Sequence, residues 1–544
     1  MEDRPSHSDY EVVPGTIYLV TRPSHNTNEN GDIILVPTPS DSLGDPLRWS
    51  VWRKRYHLFL LVIYSTVMTA LGNWESSVYV DIQDAFGTSI NQLNIGTALT
   101  LLMLGVGNVF FTPLSHQFGR RIAYLSSLAV VIGCHIWLAS ARNSGDFIGA
   151  HVLFGLGRAP YEALVPISIA DIFFAHERGF ALGIYAFGLS AGSSVGPICS
   201  GYMIKTLGWR WVYWWGAILC AILFAAIFFT LEESNFPRDS ELPQDPEHVA
   251  QESVLEAIQH DDKGEKQLHS LHSAALTNGS VYRVGQVLET DSFRLQYRPW
   301  VVLPGTWGQF VRQVYRPLQL AWFPAIVWSG LEYGTCVSWI TVLGTTTASI
   351  LGSSPYNMSN EALGLIWLSP LIGGLFGALM AGPFNDKLVL FLTRRNRGWL
   401  EPEFRLWVFI PMALLMSGGL LLYGVGAANS LPWIGPVVGM GLVGFGLTVA
   451  AALTMAYVVD CYKEVDGEAI TTVILIRNII GCAMTFGIQP WIDSMGVQDT
   501  FILVCFLSFI ITVFAGAFII WGKKFRFLTK MAYLSFAGTS SGAI

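Results

Sequence analysis

Twelve apolar stretches, six before and six after a charged segment of about 85 residues, confine this chain to a membrane-embedded helical fold. Crossing a hydrocarbon core of roughly 30 Å takes about 20 mostly apolar residues per helix. The stretches fall near 57–78, 94–114, 121–141, 147–171, 180–204, 211–231, 317–345, 361–384, 405–426, 432–459, 468–491 and 499–521. Helices are required, because an isolated strand leaves its backbone groups unsatisfied in lipid. Composition agrees, with 52% hydrophobic and 13% charged residues and 54 glycines in 544 positions. Two six-helix bundles able to rock against each other point to transport rather than catalysis.

The expected organisation is a polar, Pro-containing segment over 1–56, a first bundle over 57–231, a central loop over 232–316, a second bundle over 317–521 and a tail over 522–544. The 13 acidic residues of 232–291 suggest disorder there. An interfacial helix is expected near 300–314, where Trp, Val and Phe alternate with Arg. Of 32 Lys and Arg, 27 fall on the side of the termini, three (Arg142, Lys205, Arg210) on the other, and two (Arg158, Arg477) inside spans. The excess of positive charge on cytoplasmic loops then makes both termini cytoplasmic. The first 56 residues lack an apolar run beside a small-residue cleavage site, so no cleaved leader is expected and the first span serves as its own insertion signal.

The seven cysteines lie in or beside spans without a C-x-x-C and read as packing residues. Asn278 falls in the central loop and should stay unmodified, whereas Asn357, in an outer loop, is a glycosylation candidate. No Gly-x-Ser-x-Gly, metal-spaced His/Cys or phosphate-cradling loop is present, so an enzyme, a cofactor, a bound metal and ATP-driven pumping have no support. The basic residues line a membrane face, which argues against nucleic acid. A small-molecule substrate, protons and membrane lipid are the expected partners of a monomer.

Four segments carry a family resemblance. "TPLSHQFGRR" (112–121) resembles the loop between the second and third helices of the major facilitator superfamily, and "AGSSVGPICSG" (191–201) resembles its antiporter motif. "GRAPYEALVPISIADIFFAHERG" (157–179) and "YVVDCYKEVDGEA" (457–469) are similar to the fungal branch of proton-coupled drug and metabolite antiporters, which includes a histidinol/polyamine-type subgroup. The resemblance implies an all-α membrane protein of twelve helices in two pseudo-symmetric bundles. It implies export of a drug or secondary metabolite by proton antiport, with proton-coupled uptake of an organic cation such as a polyamine as the alternative. A plasma-membrane location is expected with either. An internal duplication agrees, since His116 aligns with Asp386 and Asp171 with Asp460.

Ionisable residues deep in a span cost roughly 2.5–3.5 kcal/mol each, so each is a functional candidate. Arg158 and Glu162, four apart, should share a helix face and pair. Glu332 has no basic neighbour one turn away; with Glu162 it should flank one cavity, and Glu332→Gln should abolish coupling. Arg477, beside Asn478, faces that cavity or an acid on a neighbouring helix. His151 replaces the family's Arg implicated in proton transfer; His135 is buried in the third span and Glu75 lies near the outer end of the first. Gly192, Gly196, Pro197 and Gly201 suit close helix packing around a kink. The cytoplasmic gate would comprise His116, Gly119, Arg120, Arg121, Asp171, Arg178, Asp386, Lys387 and Asp460. His116 and Thr112 depart from the family's Asp and Gly, so the second copy, with Asp386 and Lys387, should hold the gate.

Overall fold

The computed structural model describes residues 14–18, 45–235, 307–396, 399–462 and 465–541. The first half comprises α1 (Val51–Asn73), α2 (Ile90–Phe118), α3 (Arg120–Ser140), α4 in two pieces (Ser144–Arg158 and Pro160–Ile172), α5 (Ala175–Leu207) and α6 (Trp209–Thr230). The second comprises α7 (Pro324–Leu351), α8 (Leu368–Leu379, a π-helical turn Met380–Phe384 and Asn385–Arg395), α9 (Phe409–Ala428) and α10 (Ile434–Cys461). A continuous helical stretch, Asp466–Val513, then reverses at Gly496, whose φ of 79° and ψ of 167° are open to glycine alone. It therefore holds α11 (466–495) and the start of α12, which continues through Ala515–Ser541.

Among the described residues, ten helical stretches are long and apolar enough to cross a bilayer. The last of them, Gly467–Phe536, contains both α11 and α12, and α4 crosses as two short pieces. Twelve crossings result. Each half buries its own core: residues from Trp49 to Leu231 form one apolar cluster, and residues from Leu320 to Tyr533 form another.

Local chemistry moves several ends from their expected positions. α1 stops at Asn73, and Glu75 lies in a 3₁₀ turn, Trp74–Ser77. α7 begins at Pro324, whose missing N–H costs nothing in the first turn. α4 breaks at Ala159–Pro160 because proline cannot donate the next helical hydrogen bond. α12 runs on as a helix far beyond 521. The helix expected near 300–314 spans Trp307–Gln319 among the described residues. Its Val311, Tyr315 and Leu318 are exposed, an apolar stripe opposite the buried Arg316, which pairs with Glu468. The region 236–306, with Asn278, lies outside the described residues.

The only sheet among the described residues is a two-stranded antiparallel ladder, in which Ile17 faces Leu400 and Tyr18 faces Trp399. It ties an N-terminal segment to the connection between α8 and α9. The even number of crossings leaves the start of α1 and the end of α12 on the same face, here called the terminal face.

Candidate functional site

A cavity with about 940 Å³ of atom-free space, partly open to solvent, lies between the halves. It is lined from both halves, by Thr69, Thr97 and Ser190 of the first and by Tyr333, Thr341 and Thr448 of the second. Its charged residues are Arg158, Glu162 and Arg477. Glu162 of α4 forms an ion pair with Arg477 of α11, so the pair joins one half to the other. Both side chains are nearly solvent-free, at 5% and 4% exposure. Asn478 completes the group: it accepts from Arg477 at 2.9 Å, and its amide lies 3.4 Å from the second carboxylate oxygen of Glu162.

The expected direct pair between Arg158 and Glu162 is not formed. The spacing rule that brings residues four apart together holds for an unbroken helix, and this one is interrupted between them. Arg158 instead packs over the rings of Phe154 and Tyr161, at 5.0 and 5.2 Å. Its guanidinium donates to the Tyr161 hydroxyl at 3.3 Å, and that hydroxyl donates to Glu162 at 2.6 Å. Tyr161 thus relays between the two charges. A second proline, Pro166, cannot pair with the Glu162 carbonyl, and the Tyr185 hydroxyl donates there at 3.3 Å and to the Tyr161 carbonyl at 3.0 Å.

Glu332 is fully buried but does not flank the cavity with Glu162. It points away into the second half, where Thr512 of α12 donates to it at 3.0 Å and the Cys336 thiol lies 3.7 Å away. His151 pairs with Glu75 at 2.6 Å, just behind the wall of the cavity. His135 is buried against Trp74, Phe154 and Tyr213.

Gly192 and Gly196 lie against α1. A Cβ at Gly192 would fall 3.0 Å from Cβ of Thr69, and one at Gly196 would fall 3.0 Å from Cα of Ala70. Pro197 and Gly201 are buried farther along α5, and the Pro197 carbonyl abuts Gly364 of the second half. Lys205 pairs with Glu361 nearby, so the halves meet at the face opposite the termini.

At the terminal face the gate residues separate into two clusters. Glu233, just beyond α6, caps α3 by accepting from the backbone N–H of Arg120 at 2.8 Å and of Arg121 at 3.1 Å. Gly119, at φ of 100°, leaves room for that carboxylate. Burial pushes the Glu233 carboxyl above its usual range despite those donors. Arg120 also reaches Asp171 at 3.3 Å. Glu232 pairs with Arg53 and His57, which outweigh its burial and hold it below the usual carboxylate range.

The first copy thus has an acid at this turn, Glu233 just beyond α6, beside the second copy expected to hold the gate mainly. His116 itself is exposed, and its carbonyl accepts from Asn235 at 3.0 Å. In the second half Arg405 binds Asp460 at 2.7 Å and Asp386 at 3.6 Å, whereas Lys387 is exposed. The side chain of Arg178 lies outside the described residues. Asn357 is exposed, with φ of 46°, and Ser359 of its sequon caps the helix that follows.

The acid of Glu232–Glu233 and the base Arg477 that meets Glu162 stand far apart in sequence from their partners, so spacing could not find them. The one local signal was Pro160, where the helix carrying Arg158 and Glu162 is interrupted.

Comparison with known proteins adds the following. Residues 59–485 match the family described as Major Facilitator Superfamily. An uncharacterized MFS-type transporter of Schizosaccharomyces pombe, C1271.10c, is 31% identical over 97% of this chain and 94% of its own. Protein HOL1 of Saccharomyces cerevisiae is 29% identical over 98% of both chains. MFS antiporter QDR3 of Candida albicans is 24% identical over 87% of this chain and 78% of its own. The xylose transporter XylE from E. coli, in a partially occluded inward open conformation, shares the fold at a TM-score of 0.53 and 13% identity, over 85% of this chain and 99% of its own.

Proposed function

The chain belongs to the major facilitator superfamily, a family of membrane transporters, and on that premise we propose that it exports a small organic molecule by proton antiport. The observation that carries this reading is the Glu162–Arg477 ion pair, the charged link between the halves inside the cavity. A proton taken by Glu162 removes its charge, releases Arg477 and loosens the link. A substrate that needs the ionised carboxylate competes with that proton, and such competition is the basis of antiport. The cavity wall suits a mainly apolar molecule with a few hydrogen-bonding groups.

Contacts between the halves at the face opposite the termini support a state open toward the terminal face, which the charge bias makes cytoplasmic. Export is supported by the close seat of Gly192 and Gly196 on α1, and relatives printed as an antiporter and a probable efflux pump are consistent with it. Polyamine uptake loses one of its two expected anchors, because Glu332 faces away from the cavity and Glu162 is already held by Arg477. The protein would act as a monomer in the plasma membrane, with Asn357 available for glycosylation.

Everted vesicles with an acidic interior test the proposal. Labelled drugs should accumulate in them, a protonophore should collapse the accumulation, and Glu162→Gln should abolish it. Accumulation of labelled spermidine driven by an interior that is alkaline rather than acidic would overturn export in favour of uptake.

A further inference from the structure

Among the described residues, Arg158 is the charged group of the cavity that no acid answers directly. Glu162 is held by Arg477, and Glu75, behind the wall, is held by His151. Arg158 makes a single hydrogen bond among the described residues, to the Tyr161 hydroxyl at 3.3 Å, and that hydroxyl donates its own hydrogen to Glu162. The rings of Phe154 and Tyr161 cover the guanidinium and offer it no carboxylate. Its Nε is buried without a partner. A guanidinium does not deprotonate in a protein, so it stays charged at 5% exposure. Charges at this depth either pair or mark a ligand path.

The rest of the wall adds to the asymmetry. The hydroxyls of Thr69, Thr100, Thr341 and Thr448 each donate to the carbonyl four residues back, at 2.8, 3.1, 3.0 and 3.1 Å. Ser193 donates to the Ser190 carbonyl at 2.8 Å. Such hydroxyls turn only lone pairs toward the cavity. Two guanidinium groups against one carboxylate leave positive charge in excess. A cavity of this kind suits a ligand with one negative group and several O–H or N–H donors. A polyamine would instead bring further positive charge to Arg158.

We propose that the cavity binds a small organic acid, with its anionic group on the free edge of Arg158 and an O–H or N–H group on Glu162. A carboxylate can meet the planar guanidinium fork through two parallel hydrogen bonds, which fixes its orientation as well as its charge. The Tyr161 hydroxyl bridges the two charged side chains, so acid and donor stand a few bonds apart on the ligand. The donor needs the ionised form of Glu162, so the ligand still competes there with the proton. Gly72 of α1 leaves the space that the guanidinium fills. This assignment names the cargo class for the export reading and rests on that reading's cavity.

Calorimetric titration of the purified protein in nanodiscs near neutral pH tests it with matched probes. Mandelate, mandelamide and phenylethanolamine share a ring and a hydroxyl and differ in charge; salicylate and salicylamide form a second series. Each acid should bind at least about tenfold more tightly than its uncharged amide, and phenylethanolamine should bind no better than mandelamide. Arg158→Gln should erase the preference for the acids. Gly72→Val, which displaces the guanidinium from the neighbouring helix, should erase it too, so the test stands if Arg158→Gln does not fold. Equal binding of acid and amide, tighter binding of the amine, no binding of either acid, or a preference that survives both variants would overturn the proposal. Chloride that displaces mandelate as effectively as salicylate does would also overturn it, by showing a site for inorganic anions. Binding at equilibrium needs no gradient, so vesicles that accumulate nothing would count against antiport and not against this ligand class.

Discussion

At the scale of single residues, Arg158 is placed by what its neighbours lack. Gly72 of α1 has no side chain, and a Cβ there would overlap the Arg158 guanidinium. Gly72→Val should therefore displace Arg158 from the cavity wall and cut transport at least about tenfold, while the protein remains folded by size-exclusion chromatography; unchanged transport would show that Arg158 has no role in the cavity. Glu332 carries the opposite expectation. Glu332→Gln keeps an acceptor for the Thr512 hydroxyl on the far side of α7, so proton-driven accumulation should survive within about twofold of wild type. The same vesicle assay decides it, and complete loss would restore Glu332 to the coupling machinery. The buried acids and bases were legible as candidates because charge within a span is costly. Their partners were not, since Arg477 reaches Glu162 from the other half and Arg158 turns to the Tyr161 hydroxyl instead.

At the scale of elements, the ends of α3 and α6 are clasped on the terminal face. Glu233 satisfies two N-terminal N–H groups of α3 that no helical carbonyl can reach. Removing such a cap costs about 1–2 kcal/mol, so Glu233→Ala should lower the melting temperature of the purified protein clearly, and His116→Ala should leave it nearly unchanged. The reverse order would return the latch to position 116. The Glu232 clasp has a defined pH window. Its folded-state pKa is depressed by Arg53 and His57, so its stabilisation is present above the ordinary carboxylate range and is lost as pH falls through the lower folded value.

The second half inverts this charge arrangement. Arg526 within α12 binds Glu403 ahead of α9 through two contacts of 2.8 Å. The internal duplication was readable from Asp171 and Asp460, and both do pair with an arginine, Arg120 and Arg405. The inversion was not, because Glu233 and Arg526 lie more than 100 residues from their partners.

At the scale of the whole molecule, twelve crossings in two halves follow from apolar length and are largely legible in composition. What composition could not supply is how the halves meet. That depends on contacts between distant segments, among them Gly364 on Pro197, Lys205 with Glu361, and Glu162 with Arg477. The last is buried, and removing one member of such a pair is strongly destabilising, typically by about 3–5 kcal/mol, unless the remaining charge is neutralised. In the proposed antiport, protonation of Glu162 would be one such change, and it would tie the energy of the link between the halves to the proton gradient. The most direct measurement compares wild type and Glu162→Gln in proteoliposomes containing a pH-sensitive dye, using a compound that wild type accumulates. Wild type should move protons in the direction opposite to the substrate, whereas Glu162→Gln, which has no carboxylate to ionise, should move none. Undiminished proton movement in Glu162→Gln would contradict the assignment of coupling to the Glu162–Arg477 pair.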